Sequence, residues 1–125
     1  MGIDVYAEWA GMTEGEKEAQ YTGFSLVAGA VGYLREAYHG EPYATMHLLS
    51  EAFDAPDCST EIRAALLRKR LPATLALARQ RRQIIYGDEP GAEDKAVIQS
   101  FVDFVELCER KERETGRPVR IIVSA

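Results

Sequence analysis

The chain has 125 residues, of which 46% are hydrophobic and 28% are charged, and its formal net charge is −5. This length and composition are typical of one folded domain with its own apolar core, which excludes a disordered chain. The apolar runs fall short of the roughly 18 residues of a membrane span, so we expect no membrane partner. Asp4 and Glu8 stand where a signal peptide would be basic or apolar, so we expect a cytoplasmic location.

The first half of the chain begins with a strand and a helix. Residues 3–9 alternate between apolar and polar side chains, which predicts a strand with one buried face. Thr13 and Glu16 have the spacing of a capping box and predict a helix to about Gln20. Further along, FSLVA (24–28) and ATMHLL (44–49) favour strands, whereas YLREAY (33–38) fits a strand and a helical turn equally well.

The second half is predicted to be mainly helical. Ser59 is expected to cap a helix that runs to about Arg70, and Pro72 to begin another helix that Gly87 ends. A long helix is predicted over residues 93–114, and VRIIV (119–123) is predicted to be a C-terminal strand. The apolar stripe of the long helix consists of Val97, Phe101, Phe104, Val105 and Cys108.

Strands at both ends with helices between them predict an α+β fold. We expect a single domain over residues 1–125, with the terminal strands in one sheet packed against three or four helices. Cys58 and Cys108 lie fifty positions apart, a spacing that supports neither a zinc motif nor a disulfide framework. Cys108 is expected to be a small buried apolar residue.

Charge is strongly segregated along the chain. Residues 1–58 contain ten acidic and two basic residues, whereas residues 59–86 contain one acidic and seven basic residues. The basic segment predicts either nucleic-acid association or ion pairs with acids elsewhere in the fold, and the absence of any nucleic-acid-binding motif favours ion pairs. The basic patch that would bind phosphates comprises Arg68, Lys69, Arg70, Arg79, Arg81 and Arg82.

The stretch YLREAYHGEPYATMH (33–47) is the main functional clue, because it concentrates tyrosine, histidine, arginine and glutamate. Tyrosine supplies contact area with few rotatable bonds, and arginine supplies directional hydrogen bonds. The competing interpretation is a structural turn whose tyrosine rings are buried against the sheet, and the sequence favours this turn over a recognition patch. The predicted recognition patch consists of Tyr33, Arg35, Tyr38, His39 and Tyr43.

Catalysis by residues of the same stretch is a weaker hypothesis than recognition of a partner. His39 could act as an acid or base with Glu36 or Glu41, given a cleft to hold a substrate. His39 and His47 are eight positions apart, which is not a metal-binding spacing, so the sequence predicts no metal site. No motif indicates a cofactor.

These observations predict a small, non-enzymatic binding or accessory protein that acts through protein–protein recognition. Such a profile fits accessory proteins of bacteria and their mobile elements. Two alternatives remain: a small enzyme using His39 with Glu36 or Glu41, and nucleic-acid association through the helices of residues 59–86. Self-association into a homo-oligomer is also open.

Overall fold

A four-stranded antiparallel sheet forms the centre of the fold. The computed structural model describes residues 2–22, 29–38, 40–86 and 92–125, and among them the strands are β1 (Gly2–Glu8), β2 (Tyr33–Ala37), β3 (Ser59–Ile62) and β4 (Val119–Ser124). Their order across the sheet is β2-β1-β4-β3. The terminal strands are neighbours, with Val5 opposite Val123, so the predicted α+β class with both chain ends in one sheet is confirmed.

Helices occupy most of the connections between the strands. The described residues contain a 3₁₀ helix (Gly29–Val31) and five α-helices, which are α1 (Glu14–Thr22), α2 (Ala44–Leu48), α3 (Ser50–Asp54), α4 (Ala64–Tyr86) and α5 (Ala92–Thr115). Three or four helices were predicted, and the additional ones are the short α2 and α3. No helix in the described part of the chain is long and apolar enough to cross a bilayer.

The sheet has one covered face and one open face. Side chains alternate between the two faces along each strand, and those that point toward the helices are buried on β1 and β4. They pack with apolar side chains of α4 and α5 into one core. On the opposite face of the described strands, every side chain except that of Tyr33 is half-buried or exposed. The buried strand residues of the covered face include Ile3, Val5, Ala7, Leu34, Ile62, Val119, Ile121 and Val123.

The two ends of the chain follow the sequence pattern closely. The capping box forms, because the Thr13 amide donates to the Glu16 carboxylate at 2.9 Å and the Glu16 amide donates to the Thr13 hydroxyl at 3.1 Å. On α5, the predicted stripe faces the core and Cys108 is buried. The stretch YLREAY fitted both a strand and a helical turn by its sequence, and it forms a strand from Tyr33 to Ala37.

The predicted strand at residues 44–49 is wrong, because this segment begins with α2. Ala44, Thr45 and Leu48 are buried on one side of a helical turn. The carboxylate of Glu36, on β2, accepts hydrogen bonds from the amides of Ala44 and Thr45 at 3.0 and 2.9 Å. A side chain of another element, eight or nine positions earlier in the chain, thus satisfies the free amides at the start of the helix. The strand predicted at residues 24–28 lies outside the described residues.

Ser59 begins a strand and does not cap a helix. The Val123 amide donates to the Cys58 carbonyl at 2.8 Å, which places the following residues in register beside β4. The Ser59 hydroxyl donates to the Asp57 carboxylate at 3.0 Å and accepts from the Arg120 guanidinium at 2.7 Å. The helix predicted from Ser59 therefore starts only at Ala64.

The predicted break at Pro72 is also wrong, because α4 continues through it. A proline inside a helix removes one backbone hydrogen bond and costs about 3 kcal/mol. Pro72 is exposed, so its ring meets solvent, and the buried side of the helix is continuous across it. Burial of that side outweighs the local cost. The buried residues of α4 are Ala64, Leu67, Leu71, Thr74 and Ala78.

Candidate functional site

The structure divides the predicted recognition patch between the two sides of the sheet. Tyr33 and Arg35 point to the open face, where Tyr33 is buried and Arg35 is exposed. Tyr38 follows the strand and is 48% exposed. Tyr43 is partly buried against the core, and its hydroxyl accepts a hydrogen bond from the Gly40 amide at 3.1 Å. His39 lies outside the described residues.

Asp4 on β1 connects Tyr33 and Arg35. The Arg35 guanidinium donates to the Asp4 carboxylate at 2.7 Å, and the Tyr33 hydroxyl donates to the same oxygen. Burial and the hydrogen bond to Asp4 raise the pKa of Tyr33 to about 12. The hydrogen bond to Asp4 also raises the pKa of Arg35 above its ordinary value. The three side chains therefore hold one arrangement, with Tyr33 neutral and Arg35 charged.

Three tyrosine rings continue this surface across the sheet and onto α1. The ring centroids of Tyr6 and Tyr33 are 5.3 Å apart, and those of Tyr6 and Tyr21 are 5.4 Å apart. Both pairs are tilted by 39°, a common arrangement for interacting aromatic side chains. Tyr21 is 60% exposed at the end of the row. We call the surface formed by these side chains the tyrosine face; it consists of Asp4, Tyr6, Tyr21, Tyr33 and Arg35.

The carboxylate proposed for acid–base chemistry has a structural role. Glu36 points to the covered face, where it accepts from the amides of Ala44 and Thr45 and from the Thr45 hydroxyl at 2.7 Å. Its oxygens are therefore directed at the start of α2. Glu41 is exposed in the turn that contains the cis peptide bond to Pro42.

No three His, Cys, Asp or Glu side chains approach one another closely enough to hold a metal ion within the described ranges. Of the two cysteines, Cys58 is exposed and Cys108 is buried. Burial raises the pKa of the Cys108 thiol, so this group stays protonated and unreactive at neutral pH.

Two arginines of the basic patch are held in ion pairs between helices. Arg68 forms a two-pronged contact with Glu109 on α5. Arg70 forms one with Glu51 on α3 at 2.6 and 2.7 Å, and it also donates to the Leu48 carbonyl at 3.0 Å.

The other members of the basic patch are less constrained. Lys69 and Arg79 are exposed and have no carboxylate within ion-pair distance among the described residues. The side chains of Arg81 and Arg82 lie outside the described part of the chain. The basic segment therefore supplies structural ion pairs at Arg68 and Arg70 and two exposed cations at Lys69 and Arg79.

Sequence reasoning did not select Asp4, Tyr6 or Tyr21 as site residues. The alternation in residues 3–9 already indicates that Asp4 and Tyr6 share the face opposite the core. The signal that is missing from the sequence is the register between β1 and β2, which places Asp4 opposite Arg35 and Tyr6 opposite Tyr33. Tyr21 reaches this face only through the path of the chain after β1.

No family model, curated protein or solved structure matches the chain. The feature that stands out in the geometry is a row of tyrosines beside a preformed Asp4–Arg35 pair on the open face of the sheet.

Proposed function

We propose that this chain is a non-enzymatic binding protein that recognises a protein partner through its tyrosine face. The observation that carries the proposal is the row of Tyr33, Tyr6 and the largely exposed Tyr21 on the sheet face opposite the core. Tyrosine and arginine are enriched among residues that dominate the binding energy of protein interfaces. A partner that covers this row would bury ring area of Tyr21 and of the half-buried Tyr6 that now faces water, while the buried Tyr33 packs against Tyr6.

Preorganisation adds to this argument. Arg35 and Asp4 have side chains 47% and 23% exposed, and their 2.7 Å contact holds the guanidinium in place before a partner arrives. A tyrosine ring has few rotatable bonds, so little conformational entropy is lost when it is covered. The surface therefore offers contact area and directional donors at a low ordering cost.

The enzyme alternative receives less support from the same geometry. Glu36, one of the two glutamates proposed to act with His39, is directed at the amides of α2. The Cys108 thiol is buried and is therefore not available as a nucleophile. The nucleic-acid alternative is weakened because Arg68 and Arg70 are engaged by glutamates. Protein recognition is the function that uses the residues left on the open face.

We also propose that the protein works in the cytoplasm as an accessory protein of a bacterium or mobile element. Cys58 and Cys108 are both free thiols, and the exposed Cys58 would stay reduced in that compartment.

The test is a comparison of surface variants in a binding assay. A tagged protein expressed in its own host captures candidate partners, and isothermal calorimetry on the purified pair then measures the affinity. Tyr21→Ala and Arg35→Ala should each weaken the affinity about tenfold or more, the loss expected for an anchor residue. Tyr38→Ala in the same assay tests whether the contact extends to the turn after β2.

Lys69→Ala is the matched control, because Lys69 is an exposed cation on α4, away from the tyrosine face. It should leave the affinity unchanged. Thermal melts on every variant separate lost binding from lost folding. If Tyr21→Ala and Arg35→Ala bind as tightly as the unchanged chain, the tyrosine face is not the recognition surface.

A further inference from the structure

We propose that the tyrosine face receives a basic protein segment, with an arginine or lysine side chain placed against Tyr21 and Tyr6. This inference rests on the proposed function and adds the chemistry of the partner. Its starting point is the exposed side of α1, where Glu14, Lys17, Glu18 and Tyr21 follow one another at helical spacing. Two carboxylates and one amine thus share the helix surface that ends in the most exposed tyrosine.

Acidic groups also flank the sheet side of the row. Glu8 is exposed on β1, two residues from Tyr6, and therefore points to the same face. Glu8 and Glu14 have no cationic group within ion-pair distance among the described residues. Nearby Arg120 contacts Asp57 at 3.2 Å. An incoming cation would thus meet carboxylates that the fold has not already neutralised.

The charged side chains around the tyrosine row give this surface a negative net charge. Around the row, the carboxylates of Glu8, Glu14 and Glu18 outnumber the single amine of Lys17, and Arg120 is paired with Asp57. Arg35 is already paired with Asp4. A surface of this sign attracts cationic segments and repels phosphate groups at ranges up to about the Debye length, roughly 10 Å at 0.1 M salt. This is why we favour a basic protein over a nucleic acid, although tyrosines can stack on bases.

The protein already holds one cation in this manner. The Lys111 ammonium lies 5.1 Å from the centre of the Trp9 ring and 3.6 Å from the Glu16 carboxylate of α1. On this side of α1, an aromatic ring beside a carboxylate therefore binds a cation of the protein itself. Tyr21 with Glu14 presents the same two chemical groups on the exposed side of α1, where Lys17 is the one basic residue of this helix.

Fluorescence anisotropy with three defined probes tests the inference. The probes are a short peptide of alternating arginine and glycine, the same peptide with glutamate in place of arginine, and a single-stranded oligonucleotide. We expect the arginine peptide to bind and the glutamate peptide not to bind, with an affinity that falls as salt is added. Tyr21→Ala and the double variant Glu8→Gln, Glu14→Gln should each weaken it several-fold. Glu106→Gln is the control, because Glu106 is an exposed carboxylate on α5 and its loss should have no effect.

The outcomes separate this inference from the proposed function. If Tyr21→Ala weakens the captured partner but the glutamate variants do not, and the arginine peptide fails to compete, recognition stands and the basic partner is wrong. If Tyr21→Ala, Arg35→Ala and the glutamate variants all leave the affinity for the captured partner unchanged, both proposals are wrong. Binding of the oligonucleotide in preference to the arginine peptide overturns the choice of a protein ligand.

Discussion

At the scale of single residues, Asp4 organises the tyrosine face. One carboxylate oxygen accepts from both the Tyr33 hydroxyl and the Arg35 guanidinium. Burial disfavours the charged form of Tyr33, and the hydrogen bond to the Asp4 carboxylate further favours the protonated form, so Tyr33 binds its proton more tightly in the folded protein than in the unfolded chain. This difference in proton affinity makes the stability of the fold depend on pH in the alkaline range.

The first prediction concerns Tyr33. Its folded pKa is about 12, against about 10 for an unfolded tyrosine, so its contribution to stability is complete below pH 10 and is lost as the pH rises toward 12. The difference in free energy of unfolding between the unchanged protein and Tyr33→Phe should therefore shrink over that interval. Urea unfolding of both proteins at several pH values measures it. A difference that stays constant to pH 12 contradicts the raised pKa.

The second prediction concerns Glu36, which holds the start of α2. Glu36→Ala leaves the amides of Ala44 and Thr45 without their acceptor and should lower the free energy of unfolding by about 1–3 kcal/mol. Glu36→Gln keeps one acceptor oxygen and should cost less. Glu106→Ala, at an exposed position of α5, is the control and should stay within about 0.5 kcal/mol. If Glu36→Ala is as mild as this control, the capping role is wrong and a role in chemistry regains support.

At the scale of elements, α4 shows tertiary packing overriding local preference. The buried residues Leu67, Leu71 and Thr74 follow one side of the helix on both sides of Pro72. The Thr74 hydroxyl donates to the Arg70 carbonyl at 2.9 Å, next to the hydrogen bond that proline cannot form. The helix continues through Pro72 because its buried side continues on both sides of the proline.

The third prediction follows from this continuity. Pro72→Ala restores a backbone donor inside an exposed part of α4 and should raise the free energy of unfolding by up to about 3 kcal/mol. Ala73→Gly, at the adjacent exposed position, is the control and should lower it by about 1 kcal/mol. Urea unfolding measures both. Were Pro72 instead the first residue of a separate helix, Pro72→Ala would bring no gain.

The fourth prediction concerns the ion pair that links α3 to α4. The hydrogen bonds from Arg70 lower the pKa of Glu51 to about 2. A lowered pKa contributes stability that is present above the unfolded value, about 4.3, and is lost as the pH falls toward 2. The advantage of the unchanged protein over Glu51→Gln should therefore shrink through this acid range in urea unfolding. An advantage that is the same at pH 2.5 and at pH 6 contradicts it.

At the scale of the whole molecule, the C-terminal strand completes the fold. β4 lies between β1 and β3 and contributes Val119, Ile121 and Val123 to the core. Removing it would separate β3 from the β1–β2 pair and expose the apolar sides of β1 and α5. The sheet therefore depends on the last residues of the chain.

The fifth prediction is that deleting residues 118–125 unfolds the protein. Loss of several fully buried side chains exceeds the stability of an ordinary small domain, about 5–15 kcal/mol. Circular dichroism and a thermal melt of the truncated chain give the measurement. Deletion of the exposed Ser124 and Ala125 alone is the control and should keep the transition. A cooperative melt of the longer truncation near the original temperature would contradict the position of β4.

Local sequence patterns were sufficient to predict part of the fold but only a few of the residues of the tyrosine face. The alternation in β1, the capping box at Thr13 and the apolar stripe of α5 depend on neighbours in sequence, and all three are confirmed. The predictions at residues 44–49, at Ser59 and at Pro72 failed because the deciding partner in each case lies on another element of the fold. These partners are Glu36 for α2, β4 for Ser59 and the core for Pro72.

By itself, the sequence determined the α+β class, the two terminal strands and the concentration of aromatic and charged residues at 33–38. Periodicity and composition reveal such features because they depend only on which side chains follow one another. The tertiary structure decided which of those residues share a surface: it placed Asp4 and Tyr6 beside Arg35 and Tyr33 and turned Glu36 to the other side. Strand register and chain path set that grouping, and both depend on long-range contacts that no local pattern encodes.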